Sequence, residues 1–131
     1  MRKAPVELDR LDHFAITVRD IEETCAFYEK VLGMARETFD GGRVALRFGR
    51  HKININPNPN EMKRKAAVPI PGTAEFCLIL SQPLDGFIRH LRGCGVEIEY
   101  GPAESPGAEG TIRAVCFRDP DGNLIEVANY V

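Results

Sequence analysis

Residues 11–34 read LDHFAITVRDIEETCAFYEKVLGM, an alternating stretch followed at once by a helical one. In LDHFAITV, residues 11–18, Phe14, Ile16 and Val18 form one apolar face, the period-two pattern of a half-buried strand. From Asp20 the period changes. Asp20 can cap a helix with Glu23 three residues on, a D-x-x-E variant of the capping box. Ile21, Cys25, Tyr28, Val31 and Leu32 then follow at helical spacing, and Gly33 supplies the left-handed stop. Beyond it, RVALRFG and KININ read as two strands joined by a turn at GRH.

The same order returns 62 residues later. Asp12-His13-Phe14-Ala15-Ile16 falls on Ala74-Glu75-Phe76-Cys77-Leu78. Leu32-Gly33-Met34 falls on Cys94-Gly95-Val96, which closes a second helix built on Leu84, Phe87, Ile88 and Leu91. A shift of 70 lays residues 43–56 over 113–126. The second copy is then longer by about eight residues, which fit the Gly- and Pro-rich loop GPAESPGAEG. The expected fold is α+β: one domain, residues 1–131, of two βαβββ modules forming curved mixed sheets around a cleft. The modules cover about 8–56 and about 72–130, and Pro-rich punctuation excludes regular structure from the linker, 57–71.

GTAEFCLIL, residues 72–80, reads as a strand that buries itself, yet Glu75 stands near its start with no Lys or Arg beside it. A buried carboxylate must find a cation, find hydrogen-bond donors or give up its charge. Strand parity places it. If Phe14 and Ile16 pack under the helix, His13, Ala15 and Thr17 point away, and Glu75 and Cys77 do the same in the second module. Asn54 and Asn56 lie opposite Ile53 and Ile55; Leu124 and Glu126 lie opposite Ile125 and Val127. With the shift of 70, the equivalent positions are His13, Asn56, Glu75 and Glu126. Two facing sheets would bring all four into one cleft. One imidazole, two carboxylates and an amide suit a borderline divalent cation such as Zn²⁺, Mn²⁺, Ni²⁺, Co²⁺ or Fe²⁺. That ion would supply the positive charge Glu75 lacks.

Composition narrows the partners. With 17 basic against 19 acidic residues the net charge is -2, which disfavours nucleic acid. No apolar run approaches the roughly 18 to 20 residues of a membrane span. The opening MRKAPVELDR lacks the apolar stretch of a signal peptide, so the expected location is cytoplasmic. Cys25, Cys77, Cys94 and Cys116 show neither C-x-x-C nor zinc-finger spacing and read as small hydrophobes, with Cys94 the most exposed.

Residues 11–34 and FRDPDGNLIEVANY, residues 117–130, resemble the opening and closing signatures of the vicinal oxygen chelate superfamily. That group includes glyoxalase I, fosfomycin-resistance enzymes, extradiol dioxygenases, epimerases and bleomycin-binding proteins. The resemblance covers residues 8–130 and is especially close to small bacterial glyoxalase-like virulence proteins. It implies one divalent metal ion held by His13, Glu75 and Glu126, with Asn56 at a fourth position where His or Glu is usual. It also implies a glyoxalase I-type lyase or isomerase working by metal-stabilised enediolate chemistry, Glu75 or Glu126 moving the proton. The substrate would be a small oxygenated molecule such as a glutathione-aldehyde hemithioacetal. Thr17 and Cys77 would line the pocket, and Arg47, Arg113 and Lys52 would hold an anionic substrate, while His51 and His90 read as structural. The alternative is a non-catalytic drug- or metabolite-binding protein of the resistance type. An extradiol dioxygenase wants two histidines and one carboxylate, which Glu75 argues against. A homodimer is expected, with His13 and Asn56 of one subunit meeting Glu75 and Glu126 of the other.

Overall fold

The computed structural model describes residues 4–57 and 59–131. The first module contributes β1 (His13–Thr17), α1 (Ile21–Leu32), β2 (Ala35–Phe39), β3 (Arg43–Phe48) and β4 (His51–Asn56). The second repeats the order with β5 (Glu75–Ile79), α2 (Leu84–Gly93), β6 (Tyr100–Pro106), β7 (Thr111–Arg118) and β8 (Leu124–Tyr130). Each module folds into a four-stranded sheet, ordered β1-β4-β3-β2 and β5-β8-β7-β6, in which the first strand runs parallel to the last and the other pairs are antiparallel. This is the expected pair of βαβββ modules. The linker holds one short 3-10 turn, Pro59–Glu61. None of the described helices is long and apolar enough to cross a membrane.

Both helices begin where local chemistry supplies a cap. Asp20 accepts a hydrogen bond from the Glu23 N–H at 3.0 Å, and Gly33 closes α1 with φ of 66°. Pro83 gives α2 no side-chain cap. Instead the Leu84 N–H donates to Asn129 Oδ1 at 2.7 Å, while Asn129 Nδ2 donates to the carbonyls of Leu80 and Gln82. The last strand of the module therefore starts its helix. Residues 101–106, read as loop, belong to β6, which pairs with β7 through a bulge between Tyr100 and Ala103. Pairing along an existing strand outweighs the low intrinsic strand preference of Gly and Pro.

The core forms between the sheets and the helices laid on them: Ile16, Val18, Tyr28, Leu46, Ile53, Leu91, Phe117 and Ile125 are all essentially buried. The modules meet at their edge strands, where the repeat-equivalent rings of Phe14 and Phe76 lie 5.0 Å apart. A second junction is the turn between β7 and β8. Buried Asp119 accepts from the Tyr28 hydroxyl at 2.7 Å, from the Asp121 and Asn123 N–H groups at 2.9 Å each and from Asn123 Nδ2 at 2.8 Å. Arg19 Nε donates to Asp121 at 2.7 Å, joining the end of β1 to the same turn. The linker is drawn in as well, since a Cβ on Gly72 would stand 2.6 Å from the Asp121 carbonyl oxygen.

Candidate functional site

The registers fix which side chains share a face. In the first sheet His13 is opposite Lys52, Ala15 opposite Asn54, and Thr17 opposite Asn56. In the second, Glu75 is opposite Leu124 and Cys77 opposite Glu126. His13 and Glu75 are thus equivalent, as expected, but the equivalent of Glu126 is Asn54 rather than Asn56. The β7–β8 turn is longer than the β3–β4 turn, as the pairs Arg118–Leu124 and Arg47–Lys52 show, so the repeat shift grows along the module. Asn56 and Thr17 face each other at the far end of their strands, away from the cavity described below.

The two central positions have contrasting surroundings. Asn54 sits between Ala15 and Ala45, is 5% exposed, and its Oδ1 has no hydrogen-bond partner among the described residues. A buried amide oxygen beside two methyl groups is costly unless a cation or donor meets it. Glu126 sits between Cys77 and Cys116. The Cys116 thiol points at Glu126 Oε2 from 3.8 Å, and Cys77 also hydrogen-bonds this carboxylate. Burial, followed by the bond and charge of Glu126, pushes the Cys77 thiol up to about 12, and the same causes raise Cys116. Neither thiol serves as a nucleophile at neutral pH. In chelator-treated protein at pH 8, Cys77 is expected to alkylate about a hundredfold more slowly than a free thiol, although the residue is exposed. Residue-resolved mass spectrometry checks this, and Glu126→Gln should speed the reaction by removing the charge.

Glu75 answers differently from expectation. It is exposed, because β5 is an edge strand with one face uncovered; Ile79, further along that face, is 53% exposed. The apolar run Phe76–Leu80 is not buried on both sides. Glu75 and Glu126 are diagonal neighbours on the same face of one sheet rather than partners across a cleft. His13 and Glu75 line one cavity of about 950 Å³ at the seam of the modules, together with Lys52, His51 and Cys77. His13 Nδ1 lies 2.7 Å from Asp12 Oδ2, and this contact holds the Asp12 carboxyl below its usual range. With Nδ1 protonated, Nε2 keeps its lone pair for a ligand.

The basic candidates separate. Arg47 is held by Glu37 on the same face. Arg113 lies on the helix side of its sheet and donates to Asp85 of α2 at 3.1 Å, so it does not share the face of Glu126. Lys52 faces the open side and rests its Nζ 3.7 Å from the Phe39 ring centroid. His90 sits against the carbonyls of Lys30 and Val31 at the end of α1, a structural role. His51 stacks on Phe48 and also reaches the cavity.

Among the described residues of one chain, no three His, Cys, Asp or Glu side chains converge closely enough to hold a metal ion. The first sheet carries exposed His13 and buried Asn54 on one face, and the second carries Glu75 and Glu126. Formal charge divides the same way. The open face of the first sheet carries Arg43, Arg47 and Lys52 against Glu37, and that of the second carries Glu75 and Glu126 against Arg118.

Residues 10–127 match the family model described as the Glyoxalase/Bleomycin resistance protein/Dioxygenase superfamily. The chain is 45% identical over 124 residues to the virulence protein STM3117 of Salmonella typhimurium, covering 95% of this chain and 86% of that one. The crystal structure of that protein superposes with a TM-score of 0.93 over 96% of this chain and all, 100%, of the other. An integron cassette protein from V. cholerae, 45% identical, gives the same TM-score of 0.93 over 96% and 98% of the two chains. A glyoxalase domain-containing protein, RDO1, of Mycosarcoma maydis is 40% identical over 92% of this chain and 68% of its own length.

Proposed function

The chain belongs to the Glyoxalase/Bleomycin resistance protein/Dioxygenase superfamily, and from that premise we propose that it is a divalent-metal-dependent lyase or isomerase of the glyoxalase I type. It acts on a small oxygenated molecule in a cleft completed by two copies of the chain. The observation that carries this reading is the buried, unpartnered Asn54 Oδ1 at the repeat position of Glu126. An oxygen without a donor, set between two alanines, fits a cation ligand. His13 and Asn54 of one subunit and Glu75 and Glu126 of its partner would hold the ion, a nitrogen and oxygen donor set suited to Mn²⁺, Zn²⁺, Ni²⁺, Co²⁺ or Fe²⁺. The complementary charge of the two open faces favours their meeting in a homodimer. A bound ion supplies Lewis-acid polarisation of a substrate oxygen.

The chain's own residues divide the remaining work. Glu126, flanked by two thiols on the middle of its sheet, is held in place. Glu75, exposed on an edge strand, has the freedom to take a proton from the carbon beside a carbonyl and return it to the neighbouring carbon. Asp12 orients His13. Ala15, Ala45 and Leu124 give the faces apolar surface beside these residues.

Titration calorimetry of chelator-treated protein with Mn²⁺, Ni²⁺ and Zn²⁺ tests the reading, with sedimentation in parallel. One ion per chain in a dimer is expected. Asn54→Ala should weaken binding by about tenfold or more, and Asn56→Ala should leave it unchanged. A protein that takes up none of these ions yet binds a small molecule in the cleft would be a resistance-type binding protein instead.

A further inference from the structure

In the cleft proposed above, one positive charge has no carboxylate partner among the described residues. A divalent ion would balance Glu75 and Glu126. Arg47 is taken by Glu37, and Arg118 donates to both carboxylate oxygens of Glu99 at 2.6 and 2.9 Å. Arg43 stands 3.7 Å from Asp40 in the exposed β2–β3 turn. Lys52 differs from all of these. Among the described residues no carboxylate lies within ion-pair distance of it; Asp12 feels its charge but gives its hydrogen bond to His13. The half-buried Lys52 leans on the Phe39 ring, with the Arg43 guanidinium 4.9 Å from the same ring centroid. Two cations sharing one ring repel each other, and an anion bound there relieves that repulsion. The register sets Ala45 and Asn54 between the Lys52 and Phe39 positions, and Lys52 lines the cavity that holds His13 and Glu75.

We infer that Lys52, which shares the Phe39 ring with Arg43, is the binding site for one anionic group of the substrate. The molecule processed is then a small organic oxyanion, a carboxylate, phosphonate or phosphate, rather than a neutral compound. This rests on the metal-cleft reading for its charge balance, but the binding it requires is measurable without catalysis.

The test is calorimetric titration of the full chain with phenylphosphonate, benzoate and uncharged benzyl alcohol, in chelator and again with Mn²⁺. Both anions should bind wild type, more weakly as salt rises, and Lys52→Met should weaken them by about tenfold to a hundredfold. Lys52→Arg should retain most of the affinity, and Lys63→Met in the linker should lose none. Matching thermal melts verify the fold, and Lys52→Gln replaces the Met variant if that variant melts early. Equal anion affinity in wild type and Lys52→Met overturns the inference, as does benzyl alcohol binding as tightly as phenylphosphonate. If Mn²⁺ does not bind while the anions still need Lys52, the metal reading fails and this one stands.

Discussion

His13→Ala protein is expected to fold and associate normally while binding Mn²⁺ about a hundredfold or more weakly than wild type. The His13 side chain is 44% exposed, opens its strand and faces away from the core built on Phe14 and Ile16. Its removal takes away little packing, so the thermal midpoint should move by no more than about 3 °C. What is lost is the one nitrogen donor in the set. Asp12→Asn gives the intermediate case, since the imidazole stays but its orienting charge goes; about a tenfold loss of metal affinity is expected. Calorimetric titration and a melt on each variant check both parts. Undiminished, stoichiometric metal binding by His13→Ala would remove it from the site.

The largest effect on stability is expected from Asp119→Ala. That carboxylate is 5% exposed and receives four hydrogen bonds, one of them across the modules from Tyr28, whose own ionisation is driven upward by burial and by the nearby Asp119 charge. Truncation leaves the Tyr28 hydroxyl and the Asn123 donors buried without acceptors. The cost should be about 3 to 5 kcal/mol, a large share of the stability of a domain this size. Tyr28→Phe removes one donor and leaves Asp119 three, so about 1 to 2 kcal/mol is expected. Urea unfolding of the two variants measures the difference; similar midpoints would mean that the turn does not clamp the modules together.

The repeat and the faces of its strands were legible because parity is strict: Phe14, Ile16, Ile53, Ile55, Ile125 and Val127 all turn inward, leaving His13, Glu75 and Glu126 on the open faces. Parity could not choose between Asn54 and Asn56, which share a face. The choice turned on two extra residues in the second module, one of them in the Asp-Pro-Asp-Gly-Asn turn, whose length is set by the buried Asp119 network rather than by any apolar period. The exposure of Glu75 was hidden for a related reason. An unbroken apolar run suits a central strand, but β5 lies at the edge of its sheet, and sheet order is a long-range property. Arg113 reads as a pocket residue until its partner on α2 is known. Cys116 matters only through its register with Glu126, which no local pattern announces.

Mixing two defective proteins shows whether each site draws His13 and Asn54 from one chain and Glu75 and Glu126 from another. His13→Ala and Glu126→Gln chains, each expected to bind Mn²⁺ poorly alone, are unfolded together, refolded and titrated. In a shared-site dimer the mixed species carries one doubly altered site and one intact site, so random pairing restores about a quarter of the wild-type stoichiometry. No restoration above the two separate proteins, in a mixture shown to contain heterodimers, would rule out a site shared between chains.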